Sequence, residues 1–121
     1  MPSPLRLKRI SDRIQQDLTE MLALGKVKDP RLVDVYITDV KVDRELAFAN
    51  IFISAVEGSA RSEEILAGLK HASGFLRSSL AGNISLRSFP QLRFFWDPTP
   101  EKADRIDALL REIQKRDDAL E

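Results

Sequence analysis

The sequence predicts an α+β fold in which helices cover a three-stranded sheet, in two layers. Apolar residues recur with the period of a helix near both ends and in the middle of the chain. Segments rich in β-branched and aromatic residues lie between these helical stretches. The composition, 43% hydrophobic and 31% charged over 121 residues, is that of a globular protein with one core. We therefore expect a single domain over residues 1–121, in the order helix–strand–strand–kinked helix–strand–helix.

The first helix is predicted over residues 4–24. Ser3 can act as its N-cap, and Pro4 suits the first helical position because an N–H there has no partner within the helix. Gly25 suits the C-terminal stop. The buried face is predicted from apolar residues in the helical period, namely Leu7, Ile10, Ile14, Leu18, Met21 and Leu22.

Two strands are predicted next, over Val33–Val42 and Leu46–Ala55. The turn Asp43-Arg44-Glu45 separates them, so they should form an antiparallel hairpin. In the first strand the apolar residues move from odd to even positions after Ile37. That change indicates either a β-bulge or a strand buried on both faces.

The first part of the central stretch, Leu66–Pro90, is predicted to be helical. The helix begins before this stretch, with Glu63 and Glu64 in its first turn. Its apolar face is formed by Ile65, Leu69, Ala72, Leu76 and Leu80. Glycine inside a helix costs about 1 kcal/mol relative to alanine, so Gly74 indicates a bend or a close approach. We predict an elbow at Ala72, Ser73 and Gly74, either between two helices or within one kinked helix, with non-helical dihedrals or close backbone packing at Gly74.

A third strand, Gln91–Asp97, and a last helix complete the chain. In the strand Leu92, Phe94 and Trp96 point one way, and Arg93 and Phe95 point the other. Thr99-Pro100 predicts the start of the helix, and its charged end, Lys115–Glu121, is expected to fray. The predicted stripe of this helix consists of Ile106, Leu109, Leu110 and Ile113.

The formal net charge is zero, but the charges are unevenly distributed. No Asp or Glu occurs from Ile65 to Phe95, whereas four basic residues do: Lys70, Arg77, Arg87 and Arg93. In the first helix Arg6, Arg9 and Arg13 share one face. If these residues lie on one side of the molecule they would suit a polyanion such as RNA. The alternatives are ordinary surface scatter and, for the first helix, a solvated face balanced by Asp12 and Asp17.

The sequence lacks the residues and motifs that most classes of enzyme require. Cysteine is absent and His71 is the only histidine, which excludes a cysteine nucleophile and a conventional zinc site. No GxxxxGK[ST] loop occurs, and Gly68 with Gly74 does not match GxGxxG, so no metal or cofactor is expected. The N-terminus resembles no signal peptide, and no apolar run of about 20 residues could cross a membrane. Phe48, Phe52, Phe94 and Trp96 are interpreted as core residues rather than as a base-stacking platform.

Several stretches together resemble the ribosome-binding factor A family of bacterial small-subunit assembly factors. They are Arg9-Ile10 with Ile14, Lys28-Asp29-Pro30-Arg31-Leu32, Ala47–Ser54, Ala72–Arg77, and Leu86–Phe94 with Asp97. The resemblance implies a type II KH-like fold in which an Ala-x-Gly kink, here Ala72-Ser73-Gly74, replaces the Gly-x-x-Gly loop of RNA-binding KH domains. It also implies docking on the 16S rRNA of the 30S subunit, late maturation including the 5′ end, and a link to growth in the cold.

The function predicted on these grounds is that of a non-enzymatic, cytoplasmic rRNA-binding assembly factor. Binding would shift the population of rRNA conformations without hydrolysis. Lys70, Arg77, Arg87 and Arg93 are the predicted phosphate contacts, with the three arginines of the first helix as a second patch. We expect a monomer that works beside other assembly factors, such as a ribosome-associated GTPase. The alternative is a protein–protein adaptor that uses Thr99–Arg116 or an open sheet edge, and a small hydrolase is a third possibility.

Overall fold

The computed structural model describes residues 2–120 and has the predicted α+β architecture. Two short 3-10 turns, at Pro30–Leu32 and Ser59–Arg61, precede β1 and α2 respectively. The helices and strands, in chain order, are α1 (Pro4–Ala23), β1 (Val35–Val42), β2 (Phe48–Ala55), α2 (Ser62–Asn83), β3 (Gln91–Trp96) and α3 (Thr99–Leu120).

The three strands form one sheet in the order β1-β2-β3. β1 and β2 pair antiparallel, as the short turn predicted, whereas β3 runs parallel to β2. The register of the hairpin shifts between Ile37 and Asp39, which confirms the bulge. Thr38, the extra residue, donates a hydrogen bond to Asp97 Oδ2 at 2.7 Å and so ties β1 to the end of β3.

The core lies between α1, α2 and one face of the sheet. Since β2 and β3 are parallel, the chain needs a crossover to connect them, and α2 supplies it. The leucine and isoleucine side chains that bury almost all of their surface are Ile14, Leu18, Ile51, Ile53, Ile65, Leu69, Leu76 and Leu80. These are the periodic apolar positions of two helices together with the alternate positions of the central strand, so helical and strand patterns meet at one surface.

The predicted boundaries of α1 are confirmed. Ser3 Oγ accepts a hydrogen bond from Arg6 N at 3.2 Å, which caps the helix. At the other end Gly25 adopts φ +65°, a left-handed conformation that favours glycine.

Two predicted features of the central helix are wrong: it is not divided into two helices, and Gly74 has neither non-helical dihedrals nor close packing. A bend within the one helix stays a prediction. α2 is one continuous helix from Ser62 to Asn83, and Gly74 has no positive φ. A Cβ added at Gly74 would meet no atom within 4 Å, so no close packing requires glycine there. Within α2 the glycine in close contact is Gly68, where a Cβ would lie 3.2 Å from Leu32 Cδ2 and 3.3 Å from Asp29 Oδ2. Glycine lowers helix propensity at Gly74, but a helix held by its buried face tolerates it.

The last helix departs from the prediction in a second way, because it does not cover the sheet. Asp97 Oδ1 accepts a hydrogen bond from Thr99 N at 2.9 Å where α3 begins, and the helix continues to Leu120. Its apolar stripe remains 44–58% exposed at Ile106, Leu109, Leu110 and Ile113. The helical period identifies an apolar face, but it does not say what packs on that face.

Candidate nucleic-acid interface

The seven basic residues predicted from the sequence lie on several distinct surfaces of the molecule. One surface is a groove between α2 and β3, which is an edge strand of the sheet. The first part of this α2–β3 groove has a volume of about 420 Å³ and contains Lys70. The second part, about 390 Å³, contains Arg77, and Ser73 and Leu92 line both parts. Lys70 is exposed and therefore available to a ligand in the groove.

Arg77 is occupied by the protein itself. Its Nη2 donates a hydrogen bond to Phe89 O at 2.6 Å, and its Nε donates to Pro90 O at 3.1 Å. Phe89 and Pro90 are both buried, so their carbonyl groups have little access to water. Arg77 therefore braces the loop between α2 and β3, a role that the sequence did not indicate.

The second surface is a depression of about 820 Å³ lined by three arginines, Arg6, Arg44 and Arg87. We refer to it as the arginine depression. Arg6 comes from α1, Arg44 from the β1–β2 turn and Arg87 from the loop that Arg77 braces. Guanidinium groups bind phosphate and carboxylate oxygens through paired hydrogen bonds. Glu45 is the acidic residue among those that line the depression, so its positive charge exceeds its negative charge.

Arg44 was missed by sequence reasoning. It lies between Asp43 and Glu45 in a turn that reads as acidic. Asp43 Oδ1 is used inside the turn, where it accepts a hydrogen bond from Phe48 N at 2.9 Å. The only feature of the local sequence that could have indicated a role for Arg44 is its position at the tip of a hairpin. That position does not predict that α1 and the loop after α2 lie beside it.

The predicted arginine row on α1 is divided. Arg6 joins the arginine depression, and Arg9 is exposed. Arg13 Nε donates to Asp17 Oδ1 at 3.1 Å, so this part of the row is the acid-balanced face given above as the alternative. Arg6, Arg9 and Arg13 therefore have different surroundings and do not form one patch.

Arg93 lies on the face of the sheet opposite to α1 and α2. Its guanidinium carbon is 3.9 Å from the centroid of the Phe48 ring, and its Nε donates to Asn50 Oδ1 at 2.9 Å. Phe48 is 37% exposed, and Phe52 is half-buried beside it on the same uncovered face. The interpretation of these two phenylalanines as core residues is therefore wrong, whereas Phe94 and Trp96 do pack against the core.

A rigid ion pair supports α2 next to the groove. Arg31 donates to both carboxylate oxygens of Asp29, with the shortest distance, 2.8 Å, from Nη2 to Oδ2. Hydrogen bonds from the Arg31 side chain and backbone lower the pKa of Asp29 to about 2. This pair packs on Gly68, where a larger residue would displace it from α2.

His71 is exposed on α2. Within residues 2–120 no three His, Cys, Asp or Glu side chains converge as they would to hold a metal ion. Among the same residues no helix is both long and apolar enough to span a membrane.

Comparison with known proteins identifies the family. A sequence model described as ribosome-binding factor A matches residues 6–110. The chain belongs to the ribosome-binding factor A family. The ribosome-binding factor A of Nitrosomonas europaea is 40% identical over 107 residues, which cover 88% of this chain and 91% of that protein.

Solved structures of the ribosome-binding factor A family show the same KH-like fold. The crystal structure from Thermus thermophilus matches with a TM-score of 0.64 at 21% identity, over 74% of this chain and 93% of that one. A second match is a Thermus thermophilus homology model fitted into the cryo-EM map of a 30S–RbfA complex. Its TM-score is 0.51 at 23% identity, over 68% of this chain and 89% of that one.

Proposed function

We propose that this chain binds the 30S ribosomal subunit through its 16S rRNA and assists late maturation of the subunit, including processing of the 5′ end. Membership of the ribosome-binding factor A family and the fitting of a relative into a map of a 30S complex support the ribosomal partner. The observation that carries the RNA contact is the convergence of Arg6, Arg44 and Arg87 in one depression. Phosphate groups of a folded RNA are the anions that such a depression suits.

The proposed mechanism is a shift of population rather than a reaction. A protein that binds one rRNA conformation tenfold more tightly than another favours the first by about 1.4 kcal/mol. Slow exchange between rRNA conformations would make such assistance most important in the cold. We propose that the protein acts in the cytoplasm as a monomer, beside other assembly factors such as a ribosome-associated GTPase.

The first experiment measures binding of the purified chain to isolated 30S subunits over a range of salt concentrations. Removing Arg6 and Arg87 together should weaken binding and reduce its salt dependence by roughly 0.7–0.9 per lost phosphate contact on a log–log plot. The matched control removes Arg105 and Arg116, which are equally charged, exposed and paired only within α3. Equal losses in both double variants would mean that net charge alone, and not the arginine depression, governs binding.

A second experiment tests maturation. Cells depleted of the protein should accumulate 16S rRNA with an unprocessed 5′ end, most strongly at low temperature, and primer extension would measure it. The His71→Ala variant should restore processing fully, and the Arg6 and Arg87 double variant should restore it poorly. Nucleotide hydrolysis that co-purifies with the protein and disappears in a point variant would contradict the non-enzymatic mechanism.

The adaptor alternative is favoured by one observation, the exposed apolar stripe of α3. It predicts that 30S binding is lost when Leu109 and Leu110 become alanine and is retained when the arginines of the depression are removed. The RNA proposal predicts the reverse, so the two double variants measured side by side distinguish the two functions.

A further inference from the structure

One face of the sheet carries aromatic side chains that nothing in the described chain covers. α1 and α2 pack on the other face, and residues 102–119 of α3 are exposed along their whole length. Phe48 and Phe95 are 37% and 42% exposed. We define the open sheet face by Lys41, Phe48, Asn50, Phe52, Arg93 and Phe95.

The rings of the open sheet face are arranged with cations. The Arg93 guanidinium lies over Phe48 at 3.9 Å, and Lys41 Nζ is 5.7 Å from the centroid of the Phe52 ring. Phe52 and Phe95 stack with their centroids 5.6 Å apart. Because Arg93 also donates to Asn50 Oδ1, its guanidinium plane is held in position.

β1 contributes one carboxylate to the open sheet face, that of Asp39, which lies opposite Phe52 in the strand register. It is half-buried, and its Oδ1 accepts a hydrogen bond from Val40 N at 2.8 Å. Lys41 and Arg93 are the charged groups that lie over the rings, so the surface directly beside the rings is positive. A purely apolar partner would leave these cations without a counter-charge, whereas a nucleic-acid strand supplies phosphates to them and bases to the rings.

The open sheet face also borders the arginine depression. Ala47, which lines the depression, directly precedes Phe48. Phe48 and Phe52 are four residues apart on one strand, or about 13 Å at the rise of a β-strand. A strand of RNA leaving the depression could therefore pass directly onto the rings, with room for two or three splayed bases.

We propose that the open sheet face binds single-stranded RNA, with bases stacked on the Phe48–Arg93 pair and on the Phe52–Phe95 pair and with phosphates near Lys41 and Arg93. This inference rests on the proposed function, because it takes RNA as the partner. It adds a second surface, which meets the α2–β3 groove at Arg93 and Phe95, and it assigns the unpaired segments of RNA to that surface. Duplex RNA, whose bases are already stacked, would not use it.

The test is fluorescence anisotropy with a labelled ten-nucleotide oligouridylate and with a duplex RNA of the same length. Phe52→Leu and Phe95→Leu keep an apolar side chain but remove the ring. Each should weaken oligouridylate binding about tenfold, in line with the effect of losing one stacked base, and leave duplex binding unchanged. Phe75→Leu is the matched control, since Phe75 is 53% exposed but lies on α2.

Crosslinking keeps the proposal testable if a leucine variant folds poorly. Oligouridylate carrying 4-thiouridine is irradiated with the unaltered protein, and crosslinked peptides are mapped by mass spectrometry. Crosslinks at Phe48 or Phe52 support the proposal. Crosslinks confined to the arginine depression or the α2–β3 groove overturn it. The proposal is also overturned if the protein does not bind oligouridylate, or if neither leucine substitution changes that binding.

The outcomes also separate this inference from the proposed function. If the arginine double variant loses 30S binding while the leucine variants bind oligouridylate normally, the inference fails and the proposed function stands. If the leucine variants lose 30S binding without any loss of RNA binding, the open sheet face contacts protein and the inference fails. If the unaltered chain binds neither 30S subunits nor RNA, both fail.

Discussion

Single side chains position the loop between α2 and β3, and with it Arg87. The two hydrogen bonds that Arg77 donates to Phe89 O and Pro90 O are charge-assisted and partly shielded from water. Removing the guanidinium would leave buried carbonyl groups without partners, which is more costly than losing an exposed hydrogen bond. Arg77 therefore affects ligand binding indirectly, because it holds the loop that positions Arg87.

We therefore predict that Arg77→Ala lowers the free energy of unfolding by about 1–3 kcal/mol, measured by urea denaturation. Arg87→Ala serves as the control and should change stability by less than about 0.5 kcal/mol, because Arg87 is exposed. Equal stability of both variants would show that the loop does not depend on Arg77.

Two glycines of α2 should respond in opposite directions to the same substitution. Gly74→Ala should stabilise by up to about 1 kcal/mol, since the site is helical and open. Gly68→Ala should destabilise the protein, because its Cβ would be 3.2–3.3 Å from Leu32, Arg31 and Asp29. Thermal unfolding of both variants would measure the difference, and destabilisation by Gly74→Ala would support the predicted bend at this position.

The Asp29–Arg31 pair should make stability depend on pH. The pKa of Asp29 is lowered to about 2 in the folded protein, below its usual value near 4. Its contribution is therefore fully present above about pH 4 and is lost as the pH falls through about 2. The difference in Tm between the unaltered protein and Asp29→Asn should shrink over this range. A difference that stays constant from pH 5 to pH 2 would contradict the assignment.

At the scale of whole elements, α3 differs from α1 and α2. The two earlier helices bury their stripes against the sheet, whereas the stripe of α3 is exposed and its anchoring is confined to its first turn. There Glu101 Oε2 accepts a hydrogen bond from Ser59 N at 3.2 Å. Each of the three helices carries an apolar stripe with the helical period, so the presence of a stripe does not distinguish a core helix from a projecting one.

The stability of the core should therefore be independent of the α3 stripe. Changing Leu109 and Leu110 together to alanine should lower the free energy of unfolding by less than about 0.5 kcal/mol. Leu76→Ala, on the fully buried face of α2, should cost about 2–5 kcal/mol in the same denaturation assay. A comparable loss in the α3 variant would show that this helix packs on the domain in solution.

At the scale of the whole molecule, a protein of zero net charge presents several basic surfaces that adjoin one another. The arginine depression, the α2–β3 groove and the open sheet face draw residues from α1, the hairpin, α2 and β3. Neutral total charge is no obstacle to binding a polyanion, because the field near a surface is governed by the charges within about one Debye length.

Much of the fold follows from local sequence. The cap at Ser3, the stop at Gly25, the hairpin and the bulge after Ile37 depend on residues close together in the chain, and all were predicted. The basic residues themselves were also visible in the sequence. Their grouping was not, since Arg6, Arg44 and Arg87 are far apart in the chain and meet only when β3 is placed parallel to β2.

The amino-acid sequence by itself determined the elements, their order and the family, because periodicity, caps and turns act over a few residues. Only the tertiary structure decided which face of the sheet the helices cover. Alternation along β2 places Phe48 and Phe52 on one face, but it does not say whether that face is inside. The tertiary contacts likewise decided that Arg77 braces a loop and that Gly68, not Gly74, needs to be small, since both depend on segments brought together only by folding.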